Sequence, residues 1–509
     1  MKDRKNGGSN IPDSILLDSK NNGILVQNHF EQFFLIGVPP NSSNTDTPEI
    51  LVAFPPYQST EIDFRIIIHY ALPFGVVPRN NKTGNNIIQD EFCFLFSTAT
   101  SQIYGMCVHI LPSMSNLPFF VSRDNKNKIY CYCLLTKVPT FSTHFLFLSF
   151  LALDMSSAIK DVFSIRCNPN HIEASGPSFP NMDETNSIAH LKTLKIPNRL
   201  ISLLHIYHQY SPGNPSINLS RTIELFFPPY QQGKSILYAS LDTLFSILEP
   251  KQIVDILCGA LLDRQVLVFG TSLLEVSMTI FAIHQLIDPL EYSGLVIPIL
   301  PQRKEYFMLL QAPTPFLIGT LPSDTLLDID FLDTVVFVNL DTKLVQTEPN
   351  FPKYPNRNAI ATKLTKLLTQ GFASGISQFN LPHVFKSLLK HRYSFPPVTS
   401  ETVTNTLKEP LSQIFSDFIF CFFMTNLDVS GQSTIFNRDI FLSTVQPEDI
   451  EFYKALLTSQ TFEMFISLKL KEFMALKGQD INQPVFESHG SKLTRKNSRR
   501  MSCKVLGVE

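Results

Sequence analysis

Residues 249–289 read EPKQIVDILCGALLDRQVLVFGTSLLEVSMTIFAIHQLIDP. Pro250 suits the first position of a helix, and Ile253, Val254, Leu257 and Leu261 then recur at helical spacing. Gln265–Gly270 follows as a continuous apolar strand. Thr271 or Ser272 can cap a second helix, which runs to about Ile287 and stops before Pro289. A strand with no polar face, set between two helices, predicts an α/β sheet covered on both sides.

The pattern extends in both directions. Downstream, Gly294–Leu300, Phe316–Gly319 and Thr334–Leu340 read as further strands, with a helical turn at Tyr306–Leu310. After about Arg357 helices are predicted: Ile360–Gln370, an all-round apolar core helix over Leu411–Asn426, Glu448–Leu456 and Phe462–Leu476. Upstream, Gln32–Val38, Glu49–Phe54, Phe92–Thr98, Tyr104–Leu111 and Tyr130–Leu135 carry the β-branched, aromatic and alternating residues of strands. Phe141–Ala152 closes this part as a helix, Leu200–His208 is a short amphipathic stretch, and Ile62–Tyr70 fits either a strand or a helix. Asn168–Asn186, rich in Asn, Pro, Ser and Gly, reads as an inserted loop.

Composition narrows the function classes. The 509 residues are 44% hydrophobic and 17% charged, enough to bury a large core. The 42 basic and 44 acidic residues give a net charge of −2, which offers no global argument for nucleic-acid binding. Eight cysteines are too sparse for a disulfide scaffold, and the Cys131–Cys133 pair has no second pair at zinc-site spacing. The N-terminus lacks the apolar core of a signal peptide, and the apolar stretch from Val266 to Ile287 is broken by Gly270, Glu275 and His284. A soluble cytosolic protein is expected.

Chemical motifs fail one by one. Gly233-Lys-Ser235 resembles the end of a phosphate-binding loop, but Pro228 occupies the first glycine position. Gly371-Phe-Ala-Ser-Gly375 has Ala373 where a nucleophile elbow needs serine. His205 and His208 could share a helix face, yet no carboxylate or cysteine cluster accompanies them. Asp328, Asp330 and Asp333 read as loop acids. No metal or cofactor and no covalent chemistry is expected, so the chain should bind a partner or drive a conformational process.

Short motifs recur in order along the chain. The upstream segment shows Pro48-Glu-Ile-Leu-Val-Ala-Phe-Pro-Pro56, Leu72-Pro-Phe-Gly-Val76, Phe92-Cys-Phe-Leu-Phe96, Ile103-Tyr-Gly-Met-Cys-Val-His-Ile-Leu-Pro112 and Tyr132-Cys-Leu-Leu-Thr-Lys-Val-Pro139. The central segment shows Ala260-Leu-Leu-Asp-Arg-Gln-Val-Leu-Val-Phe269, Val296-Ile-Pro-Ile-Leu-Pro301 and Ala312-Pro-Thr-Pro-Phe-Leu-Ile-Gly319. The downstream segment shows Val335-Val-Phe-Val-Asn-Leu-Asp341 and the helical pattern Phe452–Phe465. In this order the motifs resemble the DENN-domain family, and the resemblance implies a bilobal α/β fold: a longin-like first lobe, then a larger α/β lobe with a helical downstream part. On this reading residues 1–28 are a flexible N-terminus, 29–153 the upstream lobe and 154–216 a linker or insertion. Residues 217–332 are the central segment, 333–480 the downstream segment and 481–509 a basic disordered tail.

The resemblance further implies guanine-nucleotide exchange on a Rab-family small GTPase, in membrane traffic at endomembranes or vesicles. Loops after the central strands are where such sheets bind partners, which selects Thr271, Ser272, Pro301, Gln302 and Arg303. Arg264 has two open readings, a GTPase contact or an internal ion pair. Two alternatives stand beside exchange: a non-catalytic GTPase-binding scaffold, and a GTPase activator offering Arg79 as an arginine finger. In the tail, Lys492, Arg495, Lys496, Arg499, Arg500 and Lys504 are six bases within thirteen residues, with no acid among them. They suit peripheral contact with an anionic membrane, and phosphorylation at Ser498 and Ser502 would weaken that contact.

Overall fold

A computed structural model of the chain describes residues 29–40, 46–56, 63–79, 88–97, 102–112, 118, 120–155, 197–210, 216–220, 223–226, 235–323, 334–371, 402–411, 422–427 and 431–477. Two five-stranded sheets organise it.

The first sheet holds β1 (Gln32–Gly37), β2 (Glu49–Phe54), β3 (Ile88–Ser97), β4 (Gln102–Ile110) and β5 (Tyr130–Thr136). Their order is β2-β1-β5-β4-β3, and every neighbouring pair is antiparallel. Alternation along each strand feeds two separate cores. Phe33, Leu35, Met106, Val108, Tyr132 and Leu134 enter one, while Phe34, Ile36, Phe92, Phe94 and Cys107 enter the other. Helix α1 (Phe64–Ala71) covers the second face with Ile67, Tyr70 and Ala71. The side chain of Asp63 caps it, accepting the Arg65 N–H at 2.9 Å, and this decides the open strand-or-helix reading in favour of helix. Helices α2 (Phe141–Met155) and α3 (Asn198–His208) cover the first face, with the Phe147 and Tyr207 rings stacked at 3.6 Å. A small antiparallel hairpin follows, β6 (Ser216–Ser220) with β7 (Ile223–Phe226).

Helix α4 (Ser235–Ile247) leads into the second lobe. Helix α5 (Pro250–Leu261) begins with proline at its first position and a reciprocal capping box between Glu249 and Gln252. The apolar strand is β8 (Val266–Phe269), and α6 (Leu273–Leu286) follows it, capped by Ser272. With β9 (Leu295–Ile297), β10 (Phe316–Thr320), β11 (Val336–Asn339) and β12 (Leu344–Gln346) the second sheet runs β12-β11-β8-β10-β9. Four of these strands are parallel, and only β12 at the edge is antiparallel. Between β9 and β10 lie α7 (Lys304–Phe307) and a tight helical turn at Met308–Gln311. Gly319 in β10 passes so close to β9's continuation that a Cβ there would stand 2.1 Å from the Pro298 carbonyl oxygen.

Helix α6 is common to both lobes. Val276, Ile280 and Ile283 belong to the core of the second lobe, whereas Met278 and Phe281 join the first lobe's core. Phe281 meets Phe141 of α2 at 5.1 Å and Tyr104 of β4 at 6.0 Å. The Cys93 amide of edge strand β3 donates to the Ser277 hydroxyl at 3.4 Å. Each large side chain so buried contributes about 2 kcal/mol, which ties the lobes together.

The downstream part holds α8 (Arg357–Gly371), α9 (402–411), β13 (Phe422–Leu427), β14 (Gly431–Phe436), α10 (Arg438–Ser443), α11 (Ile450–Leu457) and α12 (Gln460–Lys477). One expectation is corrected here. Leu411–Asn426 is not a single core helix, because Phe422–Leu427 is a strand paired antiparallel with β14. A short apolar run without period fits helix or strand equally, and its phenylalanines suit a sheet. Asn80–Asn86, Asn168–Asn186, Asp328, Asp330, Asp333 and the tail lie outside the described residues. No helix among the described residues is long and apolar enough to cross a membrane.

Candidate functional site

Because β8, β9, β10 and β11 are parallel, their carboxyl ends share one edge of the sheet. Five of the six central candidates come to that edge. The Ser272 hydroxyl accepts the Glu275 N–H at 3.3 Å, so its oxygen is engaged in the α6 cap. Thr271 is exposed, and its amide and hydroxyl both donate to Asp341 Oδ1, at 3.1 and 2.9 Å. Pro301 is buried behind the surface. Arg264 stands at the other end of β8, where its guanidinium reaches Glu348 at 2.7 Å.

Gln302 has a role that sequence reasoning did not assign. Its backbone N–H donates to the Pro73 carbonyl of the first lobe at 2.8 Å. Its side-chain amide donates to the Leu321 carbonyl at 3.2 Å and to the Thr320 hydroxyl at 3.3 Å. The residue thereby fastens the loop after α1 to the carboxyl edge of the second sheet. A second bridge lies beside it: His69 Nδ1 and the Tyr306 hydroxyl are 3.2 Å apart, and the Tyr306 ring meets Tyr70 edge-on at 5.7 Å. Burial and the neighbouring Arg303 charge, in that order, hold the His69 imidazole below its ordinary value.

Apolar side chains flank this junction. Ile66, one helical turn before His69 and Tyr70, is 39% exposed, and Val77, in the loop after α1, is 56% exposed. On the second lobe Met308, two residues past Tyr306, is 71% exposed. Arg303, beside Gln302 in the second lobe, is half-buried. His69, Tyr306, Ile66 and Met308 are the residues the sequence did not disclose.

Arg79 lies near the same loop and is held twice. It pairs with Asp90 at 3.1 Å, and its guanidinium sits 4.4 Å from the centre of the Phe74 ring. The tail residues Arg495, Lys496, Ser498, Arg499, Arg500 and Ser502 are outside the described residues.

The DENN (AEX-3) domain family matches residues 127–343, a span that runs from β5 to the end of β11 and contains α6, Gln302 and Tyr306. The chain carries a DENN domain. This DENN-domain chain is 22% identical over 346 residues to DENN domain-containing protein 1A of Xenopus laevis, covering 67% of the chain and 28% of that protein. It is 20% identical over 349 residues to DENN domain-containing protein 1B of Homo sapiens, covering 67% and 40%. It is 32% identical over 162 residues to the MAP kinase-activating death domain protein of Caenorhabditis elegans, covering 29% and 11%. The matches thus span at most 40% of these relatives' own length. In the DENN-domain chain exposed apolar side chains, an arginine and hydrogen-bonding groups thus stand near the junction.

Proposed function

We propose that this DENN-domain chain is a guanine-nucleotide exchange factor for a Rab-family small GTPase, promoting GDP release and GTP loading in membrane traffic. The observation that carries the reading is the junction itself: exposed Ile66, Val77 and Met308 stand on two lobes that Gln302 fastens to Pro73. A small GTPase holds GDP through its phosphate loop, Mg²⁺ and ordered switches. A surface that binds the displaced switch conformation better than the ordered one shifts the population toward open, nucleotide-poor states. GTP then rebinds and releases the factor. No covalent step is needed, and the apolar side chains serve as anchors while Arg303 and Thr271 set register.

The activator reading would require Arg79 to leave both Asp90 and Phe74, so exchange is favoured over it. A scaffold that binds without releasing nucleotide would use the same surface. The protein is proposed to act in the cytoplasm, recruited peripherally to endomembranes, with the basic tail contacting anionic lipid.

The test is release of fluorescent GDP from a panel of Rab-type GTPases with purified protein and excess GTP. Strong acceleration with one or two members is expected. Stable binding to a member without acceleration would instead establish the scaffold.

A further inference from the structure

Two bridges cross the lobe junction, and they differ in kind. Gln302 ties backbone to backbone, its N–H donating to the Pro73 carbonyl at 2.8 Å. His69 and Tyr306 tie side chain to side chain, with Nδ1 and the hydroxyl 3.2 Å apart. Both residues of this second bridge are half-buried, so the contact is partly shielded from water.

Each side of the bridge is seated without it. Helix α1 is held by the buried Ile67, Tyr70 and Ala71 and capped by Asp63. Helix α7 and the turn after it are held by the buried Phe307 and Leu310. The Tyr306 ring meets Tyr70 edge-on at 5.7 Å and the His69 ring at 6.0 Å, contacts that do not use its hydroxyl. The lobes are also joined along α6, where Phe281 meets Phe141 and Tyr104. What the hydroxyl and the imidazole add is a fixed relation between two surfaces that are already folded.

The segments so joined are those that carry the exposed apolar side chains. Ile66 lies three residues before His69 on α1, a spacing that makes the two neighbours on the helix surface. Met308 lies two residues after Tyr306 and opens the helical turn that follows α7. Ile66 and Met308 belong to different lobes, and both are exposed.

We propose, resting on the exchange reading above, that the His69–Tyr306 pair is a positioning contact: it sets the separation of Ile66 and Met308, and so acts on displacement of the GTPase switches rather than on docking. One anchor is enough to hold a GTPase in its ordinary state. Favouring the displaced state takes two anchors at a set distance, because a gap that yields lets the bound protein keep its switches ordered. Binding energy that both states share accelerates nothing; only the part that discriminates between them does. Loss of the pair should therefore lower the maximal rate of GDP release and leave the half-saturating GTPase concentration nearly unchanged. Loss of an anchor itself should weaken docking as well.

The experiment uses the whole chain with fluorescent-GDP release as the readout. Tyr306→Phe removes only the hydroxyl, His69→Leu removes the ring nitrogens, and His69→Asn keeps a polar atom near the place of Nδ1. Maximal rates should fall about threefold to tenfold for Tyr306→Phe and His69→Leu, the range set by one hydrogen bond. The double variant should fall no further than either single one, since both remove the same contact. His69→Asn should recover most of the rate. Hydrogen–deuterium exchange of the free chain gives a reading without any GTPase: peptides containing Gln302, whose N–H is bonded to Pro73, should exchange several-fold faster in Tyr306→Phe, while α6 keeps its protection.

A raised half-saturating concentration with the maximal rate kept would make the pair a docking contact and overturn the proposal. Losses that multiply in the double variant, or protection lost equally in α6, would overturn it too, the latter by marking a general loss of stability. If the unaltered chain releases GDP from no GTPase, the exchange reading fails by itself. Unchanged exchange at Gln302 in Tyr306→Phe would then overturn the positioning contact, and faster exchange there would support it.

Discussion

Asp263 and Thr461, 198 residues apart, are joined by two hydrogen bonds: the Thr461 amide donates to Asp263 Oδ2 at 3.0 Å and its hydroxyl to Oδ1 at 2.6 Å. Asp263 sits at φ 53 in the turn between α5 and β8, and Thr461 opens α12. The Ser293 amide also donates to the Thr461 hydroxyl oxygen, at 3.1 Å. One carboxylate therefore caps the last helix and docks it on the central sheet. Asp263→Ala should cost about 1–3 kcal/mol, because it strands a donor at a helix start. Asp263→Asn, which tolerates positive φ and keeps one acceptor, should cost less. Urea unfolding of the two variants measures the difference, and equal losses would count against the cap.

Gly319→Ala is a sharper structural test. The added methyl would meet the Pro298 backbone oxygen, which cannot rotate away as a side chain could. Overpacking of this kind costs typically 1–3 kcal/mol, and more where backbone must shift. A thermal midpoint equal to that of the unaltered chain would show that β9 and β10 are less closely held than described.

At the lobe junction, Ile66→Asp and Met308→Asp place a charge where an apolar anchor is proposed. Both side chains are exposed in the free protein, so folding should be unaffected while acceleration of GDP release falls by about tenfold or more. Circular dichroism together with the exchange assay separates the two effects. Full activity in both variants would move the docking surface elsewhere.

Arg264→Ala should behave in the opposite way. Its partner Glu348 lies on the edge of the sheet away from the junction, and the partly exposed pair contributes about 0.5–1 kcal/mol. A small loss of stability with an unchanged exchange rate is expected. A large loss of exchange would return Arg264 to the GTPase contact.

Stability should depend on pH through three buried histidines. Burial, followed by the neighbouring His144 and His208 charges, lowers His29 to about 2; burial lowers His144 and His284 to about 4. In the unfolded chain each takes a proton near the ordinary imidazole value of 6.5, which the fold refuses. The unfolded state then binds more protons, so stability rises with pH in this range and is lost as pH falls below that value, by up to about 1.4 kcal/mol per unit per histidine. His109 runs the other way: burial opposes its charge, but Asp90 and Cys131 hold it up to about 10, so its contribution is present in acid and fades in alkali. Thermal midpoints should drop steeply from pH 7 to pH 5, and a flat profile would show these rings to be solvated.

The fold was legible where signals are local. Pro250, the spacing of Ile253, Val254, Leu257 and Leu261, a strand within Gln265–Gly270 and a cap at Thr271 or Ser272 are written within forty residues, and the structure has that strand at Val266–Phe269 and that cap at Ser272. Asp63 offered the cap that settles α1, but the apolar run after it fits two periods. Phe422–Leu427 was misread because a short aromatic run has no period to distinguish its state. The site was less legible than the fold. Thr271 was picked by its place after a strand, yet its partner Asp341 is 70 residues on. His69 and Tyr306 are 237 residues apart, and nothing local in either marks the other. Arg264 sits five residues from the right edge but at the wrong end of β8, a matter of strand direction that composition does not carry.

The placement of α6 limits how the chain can be cut. The match to the DENN (AEX-3) domain family begins at residue 127, and a fragment starting there would keep β5 while losing β1 and β4, both of its hydrogen-bonded neighbours. It would also take Tyr104 from Phe281 and the Cys93 amide from Ser277, leaving an open strand edge beside a partly uncovered apolar helix, the combination that invites self-association. Where that domain match starts is therefore not where a foldable unit starts. The smallest piece worth expressing reaches back to His29.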